Sequence, residues 1–293
     1  MSDRDPRRGP TPAPDVPLQD APGREDMLKP QADHGEESYR GSGRLEGLAA
    51  VITGGDSGIG RATSIAFARE GADVAVGYYS DREEADAEDT AGWVEKAGRR
   101  ALTHRFDVQD PEACRGFVEA ATEAFGRLDI VVNNAAYQQE RRSILDITPE
   151  QLDSTFRTNI YGFFYMVQAA LPHLEPGAVI LNCGSVVAMA GYATLLDYSA
   201  TKGAIHTFTK SLALSLAPEG IRVNCVAPGP VWTPYIPATM EAESVRSFGE
   251  EETVWGRPAQ PAEIAPSFVL LASKEGKYYT GEILAPTGME TSR

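Results

Sequence analysis

A tyrosine followed four residues later by a lysine, Tyr198 and Lys202, stands in a segment with helical patterning, and a serine, Ser185, ends a strand-like run thirteen residues before that tyrosine. Residues four apart on a helix share a face, so the Lys202 ammonium belongs beside the Tyr198 phenol. A phenol titrates near pH 10 and is a reluctant base at neutral pH. A neighbouring cation stabilises its anion, and Tyr198 becomes a group that can give and take a proton. Tyrosine and lysine also meet at this spacing by chance, and the weight of the reading comes from Ser185 and from a second motif upstream. Ser199, next to Tyr198, is no rival nucleophile, because no histidine and carboxylate stand in sequence context to activate it.

The second motif is Thr53-Gly54-Gly55-Asp56-Ser57-Gly58-Ile59-Gly60, set between a strand-like run and an amphipathic helix. Glycines let the chain turn sharply and bring backbone N–H groups against a pyrophosphate at a helix N-terminus, where the helix dipole also favours negative charge. A glycine-rich turn alone is weak; the strand before and the helix after give it force. Gly55 and Gly60 have the separation of a Walker A loop, but Arg61 and Ala62 stand where lysine and serine or threonine belong, which argues against an NTPase.

The frame for these residues begins near Leu48, where short apolar runs alternate with amphipathic segments, the pattern of βαβ units and a parallel sheet. Strands are expected at residues 49–53, 73–78, 101–106, 128–132, 178–182, 221–226 and 282–285, with helices near 59–70, 82–97, 111–125, 149–174, 198–216 and 261–272. Every crossover has the length of a right-handed helical connection. The expected fold is α/β: a Rossmann-type doubly wound sheet of seven parallel strands, a single domain over residues 45–293. Residues 1–44 carry seven prolines that forbid a lasting helix or central strand and are expected to form an extended, largely flexible arm, best ordered near residues 29–45. The arm is either a solvated tail or a strap along a neighbouring subunit.

The formal net charge of −15 disfavours nucleic acid or an anionic membrane surface as partner. Cys114, Cys183 and Cys225 lie far apart, and the four histidines show no ligand spacing, so neither disulfides nor a metal are expected. The N-terminus lacks a basic region followed by an apolar stretch, and the most apolar segment, residues 160–171, is too short for a bilayer. Cytoplasmic residence is the default expectation.

The spacing G-x-x-x-G-x-G of Gly54, Gly58 and Gly60 resembles the short-chain dehydrogenase/reductase family. The resemblance spans residues 45–289 and is renewed at Asp107 and Val108, at Asn133-Asn134-Ala135-Ala136, at Asn159, at Ser185, at Tyr198 and Lys202, and at Pro228-Gly229 followed by Thr233. Around residues 34–39 and 232–234 the chain also looks like a bacterial subgroup of oxidoreductases with an N-terminal extension, some assigned as aldehyde reductases and others likened to glucose or ribitol dehydrogenases. The resemblance implies hydride exchange between a nicotinamide and a carbonyl carbon, with Tyr198 handling the proton. Lys202 would also hold the nicotinamide ribose, Ser185 would hydrogen-bond the substrate oxygen, and Asn159 would hold a water that relays protons from Lys202.

The same resemblance places Gly54, Asp56, Ser57, Gly58, Ile59, Gly60, Tyr78, Tyr79, Asp107, Val108, Asn134, Ala135, Ala136, Pro228, Gly229, Val231 and Thr233 at the cofactor, together with Tyr198 and Lys202. NAD-preferring enzymes usually end the second strand with an acid, whereas here Tyr78 or Tyr79 stands there and Arg82 is near enough to meet a 2′-phosphate, a lean toward NADP with tolerance of NAD. Asp107 would take the adenine amino group, or cap the helix beginning at Pro111. Two departures stand out: Ala136 where glycine is usual, and Gly184 in place of a serine before Ser185, expected to loosen that loop. Residues 138–145 and 186–192, with Trp232, Tyr235, Ile236 and Met240, are expected to form the pocket for a small aldehyde, ketone, polyol or sugar. The resemblance also implies a homotetramer. The alternatives are an NADP-binding redox sensor without turnover and a sugar-nucleotide epimerase or dehydratase, the latter disfavoured by the short C-terminal region after Val231.

Overall fold

Runs rich in Val, Ile and Ala, each ended by a polar or glycine turn, become strands of the computed structural model, which describes residues 5–13 and 15–289. The expected arm and catalytic domain therefore extend, at residues 1–4, 14 and 290–293, outside the described residues. The strands are β1 (Ala49–Thr53), β2 (Asp73–Tyr78), β3 (Ala101–Arg105), β4 (Leu128–Asn133), β5 (Leu174–Cys183), β6 (Arg222–Val226) and β7 (Ile283–Leu284). They form one parallel sheet in the order β3-β2-β1-β4-β5-β6-β7. The order reverses between β1 and β4, and in such sheets the crevice past the carboxyl ends at that reversal is where a ligand fits.

Alternation along the strands divides the core. Ala50 and Ile52 of β1 face a layer made by α1 (Gly58–Arg69), α2 (Glu84–Lys96) and α10 (Pro261–Ala272). Ala49 and Val51 face the opposite layer, made by α3 (Pro111–Phe125), α5 (Gly162–Ala170) and α7 (Leu196–Leu216). Fully buried Phe67 and Phe117 anchor the two sides, each contributing roughly 1.5–3 kcal/mol. Helix starts obey local chemistry. Asp110 accepts the Glu112 N–H and Pro111 opens α3, while Thr148 accepts the Gln151 N–H and Pro149 opens α4 (Pro149–Phe156). Asp110 is thus the cap, and Asp107, one of the two readings given above, is not.

The single helix expected at residues 149–174 is two helices, α4 and α5, joined by a π turn at Arg157–Tyr161, and it ends before Pro172 in a 3₁₀ turn. β5 then starts earlier than expected, at Leu174. Short helices α6 (Val187–Ala190), α8 (Tyr235–Thr239) and α9 (Ala242–Arg246) occupy the segments expected to cover the pocket.

Described residues of the arm pack on the chain's own domain. Leu28 is fully buried in a cluster with Trp232, Ile236, Met240, Val245 and Phe248, and the Trp232 indole donates to the Pro30 carbonyl at 2.8 Å. Prolines forbid regular structure but leave docking open when an apolar anchor such as Leu28 finds a groove.

Buried His34 reinforces this docking. Its Nε2 meets Glu25 at 2.9 Å and its Nδ1 meets Glu36 at 3.2 Å, while Arg61 of α1 joins Glu36 at 3.0 Å and pairs with Asp89 of α2. Burial alone would push the imidazolium down, but Glu25 and Glu36 overcome it and raise the His34 pKa to about 9. A folded value above the unfolded one means that the stabilisation is complete below about pH 6.5 and is lost as pH rises through about 9. Thermal melts between pH 7 and 10 should therefore show a loss on the order of 2 kcal/mol that His34→Gln does not show. Parallel curves for the two proteins would contradict the assignment.

Candidate active site

The reversal of strand order opens a cleft of about 480 Å³ past the ends of β1 and β4. The Thr53 hydroxyl at the end of β1 accepts the N–H groups of Asn134 (2.9 Å) and Ala135 (3.0 Å). The Asn134 amide in turn donates to the carbonyls of Thr53 (3.1 Å) and Gly54 (2.9 Å). Two loops from adjacent strands are thereby held in one register. Gly60 shows why the loop needs glycine: a Cβ there would lie 1.8 Å from the Gly54 carbonyl oxygen, so only glycine lets α1 start this close to β1.

These residues fit a dinucleotide. Helix α1 begins at the cleft, Ser57 does not cap it with its side chain, and its leading N–H groups lack partners within the helix. Gly54, Asp56, Ser57, Gly58 and Ile59 line this part, and Gly60 lies just behind it. Tyr78, Tyr79, Asp107 and Val108 line the β2 and β3 end, Asn134, Ala135 and Ala136 the middle, and Pro228, Gly229, Val231 and Thr233 the wall after β6. Ala136 keeps a negative φ, since Met289 is the one non-glycine residue with positive φ among those described.

At the far end a buried carboxyl stands where the sequence showed only tyrosines. Glu83 turns back to accept the N–H groups of Tyr79 (3.2 Å) and Ser80 (2.8 Å) and faces the cleft near Asp56. Burial pushes Asp56 well up, with the Glu83 charge adding to it, and burial also raises Glu83. Arg82 is exposed and does not line the cleft.

Ser185, Tyr198 and Lys202 converge at the other end. Tyr198 lies in the first turn of α7 and Lys202 one turn on, with its ammonium 5.3 Å from the Tyr198 ring centre and donating to the Cys183 carbonyl at 2.8 Å. Burial pushes the Tyr198 phenol up, against the Lys202 ammonium and the Ser185 hydroxyl, which both lower it. The lowering expected from Lys202 is thus present, but desolvation outweighs it.

Asn159 is fully buried in the π turn and does not reach the cleft surface. Its side-chain oxygen accepts the Tyr137 N–H (2.7 Å), and its amide donates to the Tyr137 carbonyl (2.8 Å) and the Thr201 hydroxyl (2.9 Å). That clamps the cleft residue Tyr137 to the turn of α7 that carries Lys202. The π turn, a rare device found most often at functional sites, brings Asn159 into line for it.

Gly184 is a tight fit and not a loosening. A Cβ would lie 2.6 Å from the Cys225 sulfur and 2.7 Å from Nε2 of His206. Gly184→Ala should cost about 1–3 kcal/mol through overpacking. Adding Cys225→Ala should recover part of that loss in a thermal melt; no recovery would place the strain elsewhere.

Of the expected pocket, Gln138, Val186, Val187, Tyr192, Tyr235, Ile236 and Met240 line the cleft. Leu145 is 91% exposed on the surface, and Trp232 is sealed beneath α8 against the arm. Three residues unforeseen in the sequence, Ala21, Pro22 and Gly23 of the arm, also line it, as do Leu195 and Phe248. Proline and glycine near the N-terminus gave no signal for this role.

The protein family described as "Enoyl-(Acyl carrier protein) reductase" matches residues 54–288. The chain is 52% identical to "Uncharacterized oxidoreductase YhdF" of Bacillus subtilis (strain 168), covering 91% of each chain. It is 44% identical to "NADPH-dependent aldehyde reductase 1, chloroplastic" of Arabidopsis thaliana, covering 91% of this chain and 94% of that one. Among solved structures, a short chain dehydrogenase from Burkholderia cenocepacia J2315 in complex with NADP superimposes with a TM-score of 0.77 at 34% identity, covering 84% of this chain and 98% of that one.

Proposed function

The chain belongs to the short-chain dehydrogenase/reductase family, and from that premise we propose that it interconverts a small aldehyde, ketone or sugar and the corresponding alcohol, using NADP in preference to NAD. The observation that carries the reading is the meeting of Ser185, Tyr198 and Lys202 in the cleft that begins at the glycine loop. When bound, the nicotinamide supplies or accepts the hydride.

The chain's own residues handle the oxygen and the proton. Ser185 donates to the substrate oxygen as its charge develops, and Tyr198 delivers the proton during reduction and takes it during oxidation. Lys202 steadies the phenolate and stands ready for the ribose hydroxyls. Asn159 keeps Tyr137 and Thr201 in place around them. In the proposed proton relay from Lys202, Asn159 would hold the intervening water. The pocket walls, Val187, Leu195, Ile236, Met240 and Phe248 with the phenols of Tyr137 and Tyr235, suit a small carbonyl compound.

The lean toward NADP is supported by the NADP of the solved relative and by the NADPH-dependence in the plant relative's name. Assembly as a homotetramer is part of the proposal. It is supported by an apolar face in which half-exposed Phe164 of α5 lies tilted against Phe208 of α7, with ring centres 4.3 Å apart, and Leu214 is 80% exposed further along α7. Residence in the cytoplasm is proposed on the three free, buried cysteines.

A panel of aldehydes, ketones and polyols, assayed with NAD(H) and NADP(H) by the absorbance of the reduced nicotinamide, tests the reading. Substrate-dependent change in one or more pairs is expected, larger with the phosphorylated cofactor. Tight cofactor binding without any turnover across the panel would overturn it.

A further inference from the structure

We propose that the N-terminal arm is a strap that closes over the bound nicotinamide cofactor, with Glu25 as the positioning residue that latches it to the phosphate loop. The proposal rests on the reading of the cleft as a dinucleotide site.

Three contacts, made by residues within seven positions of one another, carry it. Ala21, Pro22 and Gly23 face the cleft between the glycine loop and the segment after β6. Glu25, 5% exposed, accepts the N–H of Gly58 on its Oε1 at 2.7 Å, the leading N–H of α1. Gln19 donates its N–H to the Pro237 carbonyl of α8 at 2.9 Å, and Gly23 packs so closely on Pro234 that a Cβ would lie 2.3 Å from its carbonyl oxygen. One short stretch therefore holds the phosphate loop, the pocket-covering helix and the roof of the cleft at once.

The intervening chain is built to keep these contacts in register. The Gln19 side chain accepts the Arg24 N–H at 2.7 Å and donates back to the Arg24 carbonyl, closing the turn between the two contacts. The N–H of Glu25 donates to Asp86 of α2 at 3.0 Å, and His34 bonds the same Oε1 that holds Gly58. Glu25 thereby takes one of the N–H groups that an uncapped helix offers, and leaves those of Ile59 and Gly60 to the ligand. An extended dinucleotide lying along the loop passes beneath residues 21–23, so its departure requires the strap to lift and α8 to shift with it.

The test uses the full-length protein and NADPH. Amide hydrogen exchange across residues 19–25 and 235–239 is expected to slow at least tenfold when NADPH is bound, with both stretches responding together. Glu25→Ala is expected to raise the NADPH Kd, read from nicotinamide fluorescence, by at least tenfold, with the change falling on Kd and the cofactor KM rather than on kcat. Glu25→Gln, which keeps an acceptor oxygen for Gly58, is expected to restore most of the affinity. If NADPH binds but exchange at residues 19–25 does not change, the strap is refuted while the dinucleotide site stands, and this measurement needs no variant to fold. If NADPH does not bind at all, the reading of the cleft fails first. A Kd for Glu25→Ala within twofold of the parent would likewise refute the latch.

Discussion

Tyr198→Phe should lower turnover by about 10²–10⁴-fold while leaving the fold and cofactor binding close to those of the parent, because the substitution deletes the hydroxyl that we propose moves the proton and nothing that fills space. The ring stays in the first turn of α7, above the Lys202 ammonium, which remains bonded to the Cys183 carbonyl. Tyr198 is the cleft phenol that has the Lys202 ammonium over its ring. Tyr137 and Tyr235 also face the cleft, but burial pushes both up, and for both the carboxylate of Asp197 adds to the rise. Steady-state rates with the best substrate of the panel, beside NADPH titration by fluorescence, separate the two effects. Turnover within tenfold of the parent would remove Tyr198 from the chemistry.

Lys202→Met should be nearly as damaging, for an electrostatic reason. The parent phenol sits between burial, which raises its pKa, and the Lys202 ammonium, which is the leading influence opposing that rise. Without the cation, desolvation is opposed by the Ser185 hydroxyl alone, and the phenolate that the proposed mechanism needs for alcohol oxidation forms only at higher pH. The limb of the oxidation rate profile that reports this ionisation should move to the alkaline side, and activity at neutral pH should fall on the order of 10²-fold or more. Stability should change little or improve, because methionine fills the volume of a 1% exposed side chain without burying a charge. An unshifted profile with a lower plateau would mean that Lys202 acts on cofactor position alone.

Much of this site was legible because it is written in local features. The glycine loop, the Tyr198 and Lys202 spacing and the apolar runs of β1, β2 and β4 each lie within a few residues of chain, and the structure places them within a residue or so of expectation. What escaped is made by distant partners. The contact between Trp232 and Pro30 joins residues 202 positions apart, and that between Glu25 and Gly58 joins residues 33 apart, so neither leaves a trace in any window of sequence. Among the described residues the proline-rich arm forms only the short 3₁₀ turn Glu25–Met27, yet composition cannot distinguish a tail in solvent from one resting in a groove.

Gly184 illustrates a related gap. Its meaning lies in the sulfur of Cys225 and the ring of His206 pressing on it, and a sequence reading saw only added freedom. The cap of α3 was a matter of three residues: Asp107 and Asp110 both precede Pro111 closely, and only geometry showed that Asp110 turns its carboxylate to the Glu112 N–H. Asp107 instead accepts the N–H of Gln109 at 2.8 Å and lines the cleft.

The wide turn at Arg157–Tyr161 also sets a limit on how this chain can vary. Deleting one residue there would let α4 and α5 merge into a single regular cylinder, because the wide turn holds one residue more than a regular turn and the faces on either side of it would be kept. Phe163, Met166 and Val167 would stay packed inward, whereas Asn159, inside the turn, would lose the placement that clamps Tyr137. The irregularity is therefore tied to the Asn159 contacts rather than to the packing of α5, and a smoother helix would keep its core face while giving up that clamp.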